Sequence, residues 1–422
     1  MPDSAEIKVA VLIDLLRSPQ SGGHVKGWER LAQAATRAGL PLDLTVYFCG
    51  APLTESLSPR VTIRQLPQYF STARLKFLPY LPDHTDLAPY HPPLARALAD
   101  CDVVHTTDAF FAYSRTAERV KKRRGIGLTH SFHTDQPSYA KIFMTKAIRD
   151  IFSQTWVRNL LIERWRLPER KARQMERRCA RHLALCDTVL ATRPVDRAFA
   201  EQACGAARVR HLRLGVDKAM FNPGRACRAE IMKRYGIPED RIIVMFVGRL
   251  DEGKNIHTLI AALAKLVRAG LPMHLVAAGI GPAADNIRSA LPHHASVPGF
   301  VQPDALAKLY ASADVMALTS EVEIRSMAMV ESLACGLPVL VAAKSGIDQL
   351  FPATPAIAVV QGGSDSWAEA LREFAVTQQH VMRTAAQHFA VNHIASWEDV
   401  LTQDLFPAWL AAAEKRTVNV SQ

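Results

Sequence analysis

The sequence has little of several features that define common classes of protein. Its seven cysteines are scattered and odd in number, without a CxxC pair or a Cys/His cluster of metal-ligand spacing, which argues against a structural zinc site. Apolar residues never run to the roughly 18–20 positions that a membrane-spanning helix requires. No nucleic-acid-binding motif is visible, so we expect no nucleic-acid partner. The first residues lack the pattern of a signal peptide, so we expect a cytoplasmic protein, either soluble or peripheral on the inner face of the cell membrane.

Short apolar runs, such as residues 9–13 and 242–247, alternate with helical patterns along the chain. This alternation predicts an α/β fold with doubly wound parallel sheets. The length of 422 residues and the 49% apolar content suit two domains. We predict a first domain at 1–213, a second at 214–395, and a C-terminal helix within 396–422 that packs back on the first. Ligands of such sheets bind at the carboxyl ends of the strands.

The formal charge of +11 is concentrated in one stretch of the chain. Residues 140–182 contain twelve lysines and arginines against four acidic residues. Within it, Met144, Ile148 and Ile151 share one face of a predicted helix, and Lys146 lies opposite. Such a helix suits an anionic membrane surface, but it equally suits a helix that packs on its own sheet with a solvated basic face. The sequence leaves both interpretations open.

Two fixed cations follow an apolar strand in the second half. Gly248, Arg249 and Lys254 belong to a loop that lies between the strand 242–247 and a predicted helix. Arginine and lysine suit a diphosphate, and fixed cations stabilise the charge of a leaving diphosphate without a metal. The alternative is a surface arginine and lysine that cap a loop.

Two carboxylates, Glu323 and Glu331, lie eight positions apart further along the chain. Carboxylates suit sugar and ribose hydroxyls, so together with the cations they predict a site for a nucleotide sugar. We place Glu331 at the start of a helix and prefer Glu323 to the neighbouring Glu321 as its partner. Ordinary helix-capping acids are the alternative.

In their order along the chain, these motifs resemble the retaining glycosyltransferases of glycosyltransferase family 4 (group 1). The resemblance also rests on residues 279–282, 297–300 and 313–315. It implies a GT-B fold, in which two Rossmann-like domains face a cleft. The first domain would bind the acceptor and the second the nucleotide sugar.

The resemblance also implies roles for the residues of the second half. Arg249 and Lys254 would stabilise the leaving diphosphate, Glu323 would meet the donor sugar, and Glu331 would hold the ribose hydroxyls. Gly248, Phe300 and Ser326 complete the predicted donor site.

The chain departs from the family pattern at residues 324–326, where an aromatic residue and a glycine are usual. Arg325 at this place could pair with the carboxylate of an acidic donor sugar. Its pairing with Glu321 or Glu323 is the alternative.

In the first half, Gly22 and Gly23 follow the first strand and open a helix. Such a turn lets backbone amides approach a phosphate, and it resembles the donor-and-acceptor loop of the family. Residues 131–135 resemble the Ser-x-His-Thr stretch of members that act on lipid-linked acceptors. His133 would there lie near the donor sugar, where a neutral imidazole could hydrogen-bond the sugar or polarise the attacking hydroxyl. A structural histidine is the alternative.

We therefore expect a retaining, metal-independent hexosyltransferase without a cofactor, which uses a UDP- or GDP-linked sugar. The expected acceptor is a lipid or lipid-linked glycan at an anionic membrane surface, in glycolipid or polysaccharide biosynthesis. The alternatives are a transferase with a soluble acceptor, a sugar-nucleotide epimerase, and a catalytically dead peripheral membrane adaptor.

Overall fold

A computed structural model describes residues 6–18, 21–71, 85–323 and 326–420, with the side chains of 416–420 excepted. The chain divides into two compact units, one of residues 1–213 with 397–422 and the other of residues 214–396. Arg325 lies outside the described residues, so its pairing with an acidic donor sugar stays a prediction.

The first unit is built on a sheet in which eight of the described strands pair in the order β3-β4-β2-β1-β5-β6-β7-β8. These strands are β1 Ile7–Leu16, β2 Leu42–Cys49, β3 Leu53–Ser58, β4 Val61–Leu66, β5 Val103–Thr106, β6 Gly127–Ser131, β7 Thr188–Ala191 and β8 Val209–His211. β1 is central because its apolar residues are buried on both faces, as parallel sheets covered by helices require. β3 pairs antiparallel to β4 at one edge and carries mostly polar residues, all of them exposed or half-buried.

Helices follow most of these strands, and several of them cover the sheet and supply the other half of its core. They are α1 Gly23–Ala35, α2 Pro92–Ala97, α3 Ala112–Arg124, α4 Gln136–Ile151, α5 Thr155–Asn159, α6 Leu167–Leu185 and α7 Pro194–Cys204. The core of the unit joins strand residues such as Leu12 and Val104 to helix residues such as Tyr113 and Leu183. The loops that follow β1 and β6 lead into α1 and α4, and they carry the residues predicted to bind in this unit.

The second unit repeats this architecture on a parallel sheet whose described strands pair in the order β12-β11-β10-β13-β14-β15. These strands are β10 Ile242–Val247, β11 Met273–Ala278, β12 Ala295–Gly299, β13 Val315–Leu318, β14 Val339–Ala342 and β15 Ile357–Val360; the short β9 Gly215–Val216 pairs separately with β16 Ala395–Ser396. The helices are α8 Arg228–Tyr235, α9 Ile256–Arg268, α10 Ala284–Ala290, α11 Pro303–Ser312, α12 Met327–Ala334, α13 Ser364–Glu373 and α14 Gln379–Asn392. β10 is central, so the loop after it lies among the carboxyl ends of its neighbours.

The last helices return to the first unit. α15 Trp397–Asp399 leads through the π-helical turn Val400–Leu405 into α16 Phe406–Val420, which packs on β6. The contact is close: a Cβ on Gly127 would lie 2.9 Å from the carbonyl oxygen of Ala412. No helix within the described part of the chain has the length and apolar character needed to cross a bilayer.

Candidate functional site

The predicted cations of the second unit lie in the loop between β10 and α9. Asp251 caps a short 3₁₀ turn in this loop, since its Oδ1 accepts a hydrogen bond from the backbone N–H of Lys254 at 3.1 Å. The Arg249 Nε lies 3.4 Å from the Asp251 Oδ2, and about half of the arginine side chain, 50%, is exposed. Asp251 therefore holds the Lys254 backbone and pairs with the Arg249 side chain, a role that the sequence analysis missed although the residue lies inside the motif.

Lys254 forms an ion pair with Glu323, one of the two predicted carboxylates. The loops that carry them are also joined through the backbone: the Thr319 hydroxyl, just after β13, donates to the Lys254 carbonyl at 2.9 Å. The Asn255 side chain donates to the Thr319 carbonyl at 3.3 Å. The structure thus brings Lys254 and Glu323 together across 69 positions of sequence, with both side chains partly exposed.

Glycines allow a second loop to approach the loop that follows β10. A Cβ on Gly279 would lie 1.7 Å from the Gly248 carbonyl oxygen, and one on Gly281 would lie 2.3 Å from the Leu250 carbonyl oxygen. The Gly279 N–H donates to the Gly299 carbonyl at 2.8 Å, so the end of β12 lies next to these two loops. The exposed Phe300 follows Gly299 and therefore lies beside these glycine loops.

Helix α12 carries the remaining predicted donor-site residues. Ser326 is its N-cap, because the Ser326 Oγ accepts a hydrogen bond from the Met329 N–H at 3.4 Å. Glu331 lies in the second half of the eight-residue helix and is buried, so its predicted place at the helix start is wrong. The helix begins four residues earlier, at Met327, where the serine side chain accepts from one of the free N–H groups of the first turn, that of Met329.

In the first unit, the predicted glycine turn and the predicted histidine are neighbours. Gly22 is the N-cap of α1 and Gly23 its first residue. The ring of the next residue, His24, stacks on His133 with centroids 4.2 Å apart and planes 3° from parallel. Trp28, one turn further along α1, lies against the same ring at 5.8 Å. The sequence analysis missed His24, for which its position directly after the glycine pair was the available signal.

Residues on β6 alternate between two polar clusters, as the pleat of a strand requires. Ser131 faces His105 and His133 on one side. On the other side, His130 and His182 share the hydroxyl of Thr106, at 3.0 and 2.9 Å. Burial, followed by the neighbouring His182 and His105, lowers the pKa of His130 well below its usual range, so the ring is neutral.

The basic stretch forms helices that are only partly packed. Ile148 of α4 is buried among its neighbours, but Ile151 and Trp156 are 61% and 68% exposed, and Ile142 and Trp165 are exposed as well. Lysines and arginines flank them along the sequence. The four exposed side chains Ile142, Ile151, Trp156 and Trp165 of this stretch of sequence are together named the apolar patch below, although Ile142 and Ile151 point to different sides of α4. Among the described residues, no group of three or more His, Cys, Asp or Glu side chains could hold a metal ion.

Solved structures share the architecture of this chain. Sucrose-phosphate synthase from Thermosynechococcus elongatus matches with a TM-score of 0.68 and 17% identity, over 99% of this chain and 100% of that one. HepE from Anabaena, solved with UDP-glucose, matches with a TM-score of 0.62 and 14% identity, over 98% and 99%. These likenesses define the class by its fold, which is the predicted GT-B fold of glycosyltransferases with two Rossmann-like domains.

The family follows from the sequence itself. Residues 21–220 match the family described as Glycosyltransferase Family 4, and residues 228–388 match the family described as Glycosyl transferases group 1. Residues 21–220 and 228–388 thus carry the two domains that these glycosyltransferase families describe, which confirms the resemblance of the motifs.

Two curated proteins are similar to this chain in sequence. A GDP-mannose-dependent alpha-(1-6)-phosphatidylinositol dimannoside mannosyltransferase of Mycobacterium tuberculosis is 32% identical over 221 residues, or 52% of this chain. That alignment spans only 56% of the relative's own length. A D-inositol 3-phosphate glycosyltransferase of Actinosynnema mirum is 28% identical over 73% of this chain and 72% of its own length.

Proposed function

We propose that the chain is a glycosyltransferase that moves a hexosyl group, with retention, from a UDP- or GDP-linked donor to a lipid or lipid-linked acceptor. The observation that carries this proposal is the joined pair Lys254–Glu323 beside Arg249, at the carboxyl end of the central strand of the second unit. This part of the chain matches the Glycosyl transferases group 1 family.

The cations suit the leaving group of such a reaction. When the sugar–phosphate bond breaks, negative charge develops on the diphosphate, and a fixed guanidinium and ammonium stabilise it. An ammonium has three N–H donors, so the bond from Lys254 to Glu323 is compatible with a second contact to a phosphate oxygen. Glu323 would then lie next to the diphosphate, where the donor sugar begins. A metal is not required for this charge stabilisation.

The proposed roles of the other residues follow from their positions. Phe300 and the loop of Gly248 lie where a nucleotide could rest at the strand ends. Glu331 would hold the ribose hydroxyls. In the first unit, the amides at Gly22 and Gly23 would meet the donor or acceptor, and His133 would contact the sugar. The acceptor hydroxyl would attack on the face that the diphosphate leaves, with the leaving phosphate as its base.

The apolar patch supports a membrane-associated acceptor. Exposed isoleucines and tryptophans among cations are typical of surfaces that enter a headgroup layer, where each lysine or arginine adds about 1 kcal/mol on anionic lipid. The mannosyltransferase relative acts on phosphatidylinositol dimannoside, which is a lipid. We therefore propose a cytoplasmic enzyme that binds the anionic inner face of the membrane.

A soluble acceptor is the second candidate. The relative aligned over the larger share of both chains is named for D-inositol 3-phosphate, which carries no lipid. An inositol phosphate would need no membrane contact, so the apolar patch would then have another purpose.

The donor half of the proposal is tested with a panel of UDP- and GDP-sugars, in which hydrolysis, transfer and thermal stabilisation are measured. We expect Lys254→Ala to lower transfer at least about 100-fold. Lys308→Ala is the matched control, because Lys308 also pairs with a glutamate of the second unit, Glu230. Equal activity of the two variants would refute the donor site. A chain that no nucleotide stabilises would be the catalytically dead adaptor.

The acceptor half is tested by flotation with phosphatidylcholine vesicles, with and without phosphatidylglycerol. We expect flotation only with the anionic lipid, and its loss in Trp156→Glu. Leu53→Glu is the matched control, because Leu53 is exposed on the edge strand β3 outside the apolar patch. Transfer to inositol phosphates without flotation would favour the soluble acceptor.

A further inference from the structure

A chain of hydrogen bonds runs from the last helix of the first unit to the predicted site histidine. The Ser131 Oγ lies 2.7 Å from the Nε2 of His133 and 2.7 Å from the Nε2 of His105. On the other edge of the His105 ring, Nδ1 receives the indole N–H of Trp409 at 3.2 Å and lies 2.8 Å from the Thr129 hydroxyl. Apart from His133, these side chains are buried.

The indole N–H of Trp409 determines which group donates in each hydrogen bond of this series. A tryptophan N–H can only donate, so the Nδ1 of His105 is an acceptor and its proton lies on Nε2. The His105 Nε2–H then donates to the Ser131 Oγ, whose single hydrogen is left to donate to the Nε2 of His133. In a neutral His133, the proton therefore lies on Nδ1. The Thr129 hydroxyl fits this direction, because it can donate or accept.

Stacking fixes the plane of the same ring. His24 lies parallel to His133 at 4.2 Å, and Trp28 lies tilted against it at 5.8 Å. Rotation of the His133 ring would lose the stacking on His24 and the hydrogen bond from Ser131. Both the orientation of the ring and the identity of its protonated nitrogen are thus determined by neighbours.

We propose that Ser131, His105 and Trp409 are positioning residues that hold His133 as the Nδ1–H tautomer. His133 then offers a hydrogen-bond donor, and its Nε2 is already engaged by Ser131. It therefore binds an oxygen of the sugar or of the acceptor hydroxyl and is not the base that removes the acceptor proton. The identity of that oxygen rests on the proposed function, but the tautomer does not.

The tautomer is tested on the full chain with ¹⁵N-labelled histidine, without substrate. Ring nitrogens that carry a proton differ from those that do not in ¹⁵N chemical shift, and a His133→Asn variant identifies the His133 signals. We expect a protonated Nδ1 and an unprotonated Nε2. A protonated Nε2 in the parent protein would overturn the proposal, whether or not the chain transfers sugar.

Two tryptophan variants separate positioning from packing. Trp409→Phe removes the donor to His105, and we expect it to yield a mixture of His133 tautomers. Trp397→Phe is the matched control, because Trp397 is also buried in the C-terminal segment of this unit but its indole N–H has no hydrogen-bond partner among the described residues. A tautomer shift of equal size in both variants would refute the positioning role.

Kinetics provide the second readout once a donor and acceptor are known. We expect Ser131→Ala and Trp409→Phe to lower kcat about tenfold with little change in KM for the donor, as for the loss of one oriented hydrogen bond. Trp397→Phe should retain the parent kcat. If the tautomer is as expected but no sugar is transferred by the parent, the proposed function fails and the hydrogen-bond chain stands.

Discussion

The stability of the first unit should fall as the pH rises, because a carboxyl group is buried in its sheet. Asp14 of β1 is only 3% exposed. Its Oδ1 accepts the Asp86 N–H at 2.9 Å, and its Oδ2 accepts the Tyr113 N–H at 3.1 Å. Burial first, and then the negative charge of Asp108, raise the pKa of Asp14 from 3.8 to about 8. Folding therefore favours the protonated acid.

The sign and size of this change in stability follow from the pKa values of Asp14 in the unfolded and in the folded chain. Between pH 3.8 and about 8 the folded unit keeps the Asp14 proton and the unfolded chain has lost it. The free energy of unfolding then decreases by about 1.4 kcal/mol for each pH unit. The loss from pH 5 to pH 8 is on the order of 4 kcal/mol for this one group. Below pH 3.8 the group has no effect, and above about 8 the loss is complete.

Urea unfolding at several pH values, followed by tryptophan fluorescence, measures this loss. Five of the six tryptophans belong to the first unit, so fluorescence reports mainly on that unit. We expect Asp14→Asn to remove most of the dependence of the unfolding free energy on pH between pH 5 and pH 8. The variant also loses the hydrogen bond from the Tyr113 N–H, but it does so at every pH. A slope equal to that of the parent would refute the reasoning.

Asp108→Asn tests the second cause of the shift. The Asp108 Oδ1 accepts from the N–H groups of Phe110 and Phe111 and from the Ser114 hydroxyl, and an asparagine oxygen can keep these bonds. The substitution removes the charge near Asp14 with little change in structure. Because the pKa of Asp14 then lies lower, we expect a smaller total loss of stability between pH 5 and pH 8 than in the parent, and a larger one than in Asp14→Asn.

Three further predictions concern single residues. Gly279→Ala should lower the free energy of unfolding of the second unit, measured with urea, by about 3 kcal/mol or more, because the new Cβ meets the Gly248 carbonyl. Gly270→Ala is the control: Gly270 also has a positive φ but lies in open space, so the substitution should cost only about 1 kcal/mol. Burial first, and then the neighbouring His294 and Arg241, lower the pKa of His274 to about 4. The second unit should therefore lose on the order of 3 kcal/mol of stability as the pH falls from 6.5 to 4, measured by hydrogen exchange in β11, and His274→Gln should abolish this loss. Glu118→Gln should destabilise the first unit by about 3 kcal/mol at neutral pH in thermal and urea unfolding, because it leaves a buried histidine and an arginine without their shared carboxylate; unchanged stability would contradict this.

The central strands could be predicted from the sequence, and the edge strands β3 and β12 could not. Residues 242–247 are a continuous apolar run because β10 is buried by neighbours on both sides. The edge strand β3 has the sequence LTESLS, whose residues are exposed or half-buried, and β12 has the sequence ASVPG, with a proline and a glycine. Edge positions do not demand apolar side chains, so they give no pattern to detect.

The residues of the candidate site could be predicted to lie together only where they belong to one sequence motif. The loop of Arg249 and Lys254 follows a strand, and a strand end fixes its place. The pairing of Lys254 with Glu323 needs the distance between two loops, which sequence spacing does not give. The Trp409–His105 contact joins residues 304 positions apart, and a buried tryptophan in a helix has no pattern that names its partner.

The return of the last helices to β6 has a consequence for the order of folding during synthesis. The second unit is complete when residue 396 leaves the ribosome, whereas the sheet of the first unit still lacks the helix that covers Gly127. The half of the protein that is made first should therefore become stable last, which reverses the usual order for tandem domains. Limited proteolysis of ribosome-stalled chains would detect this, and early resistance of the first unit would contradict it.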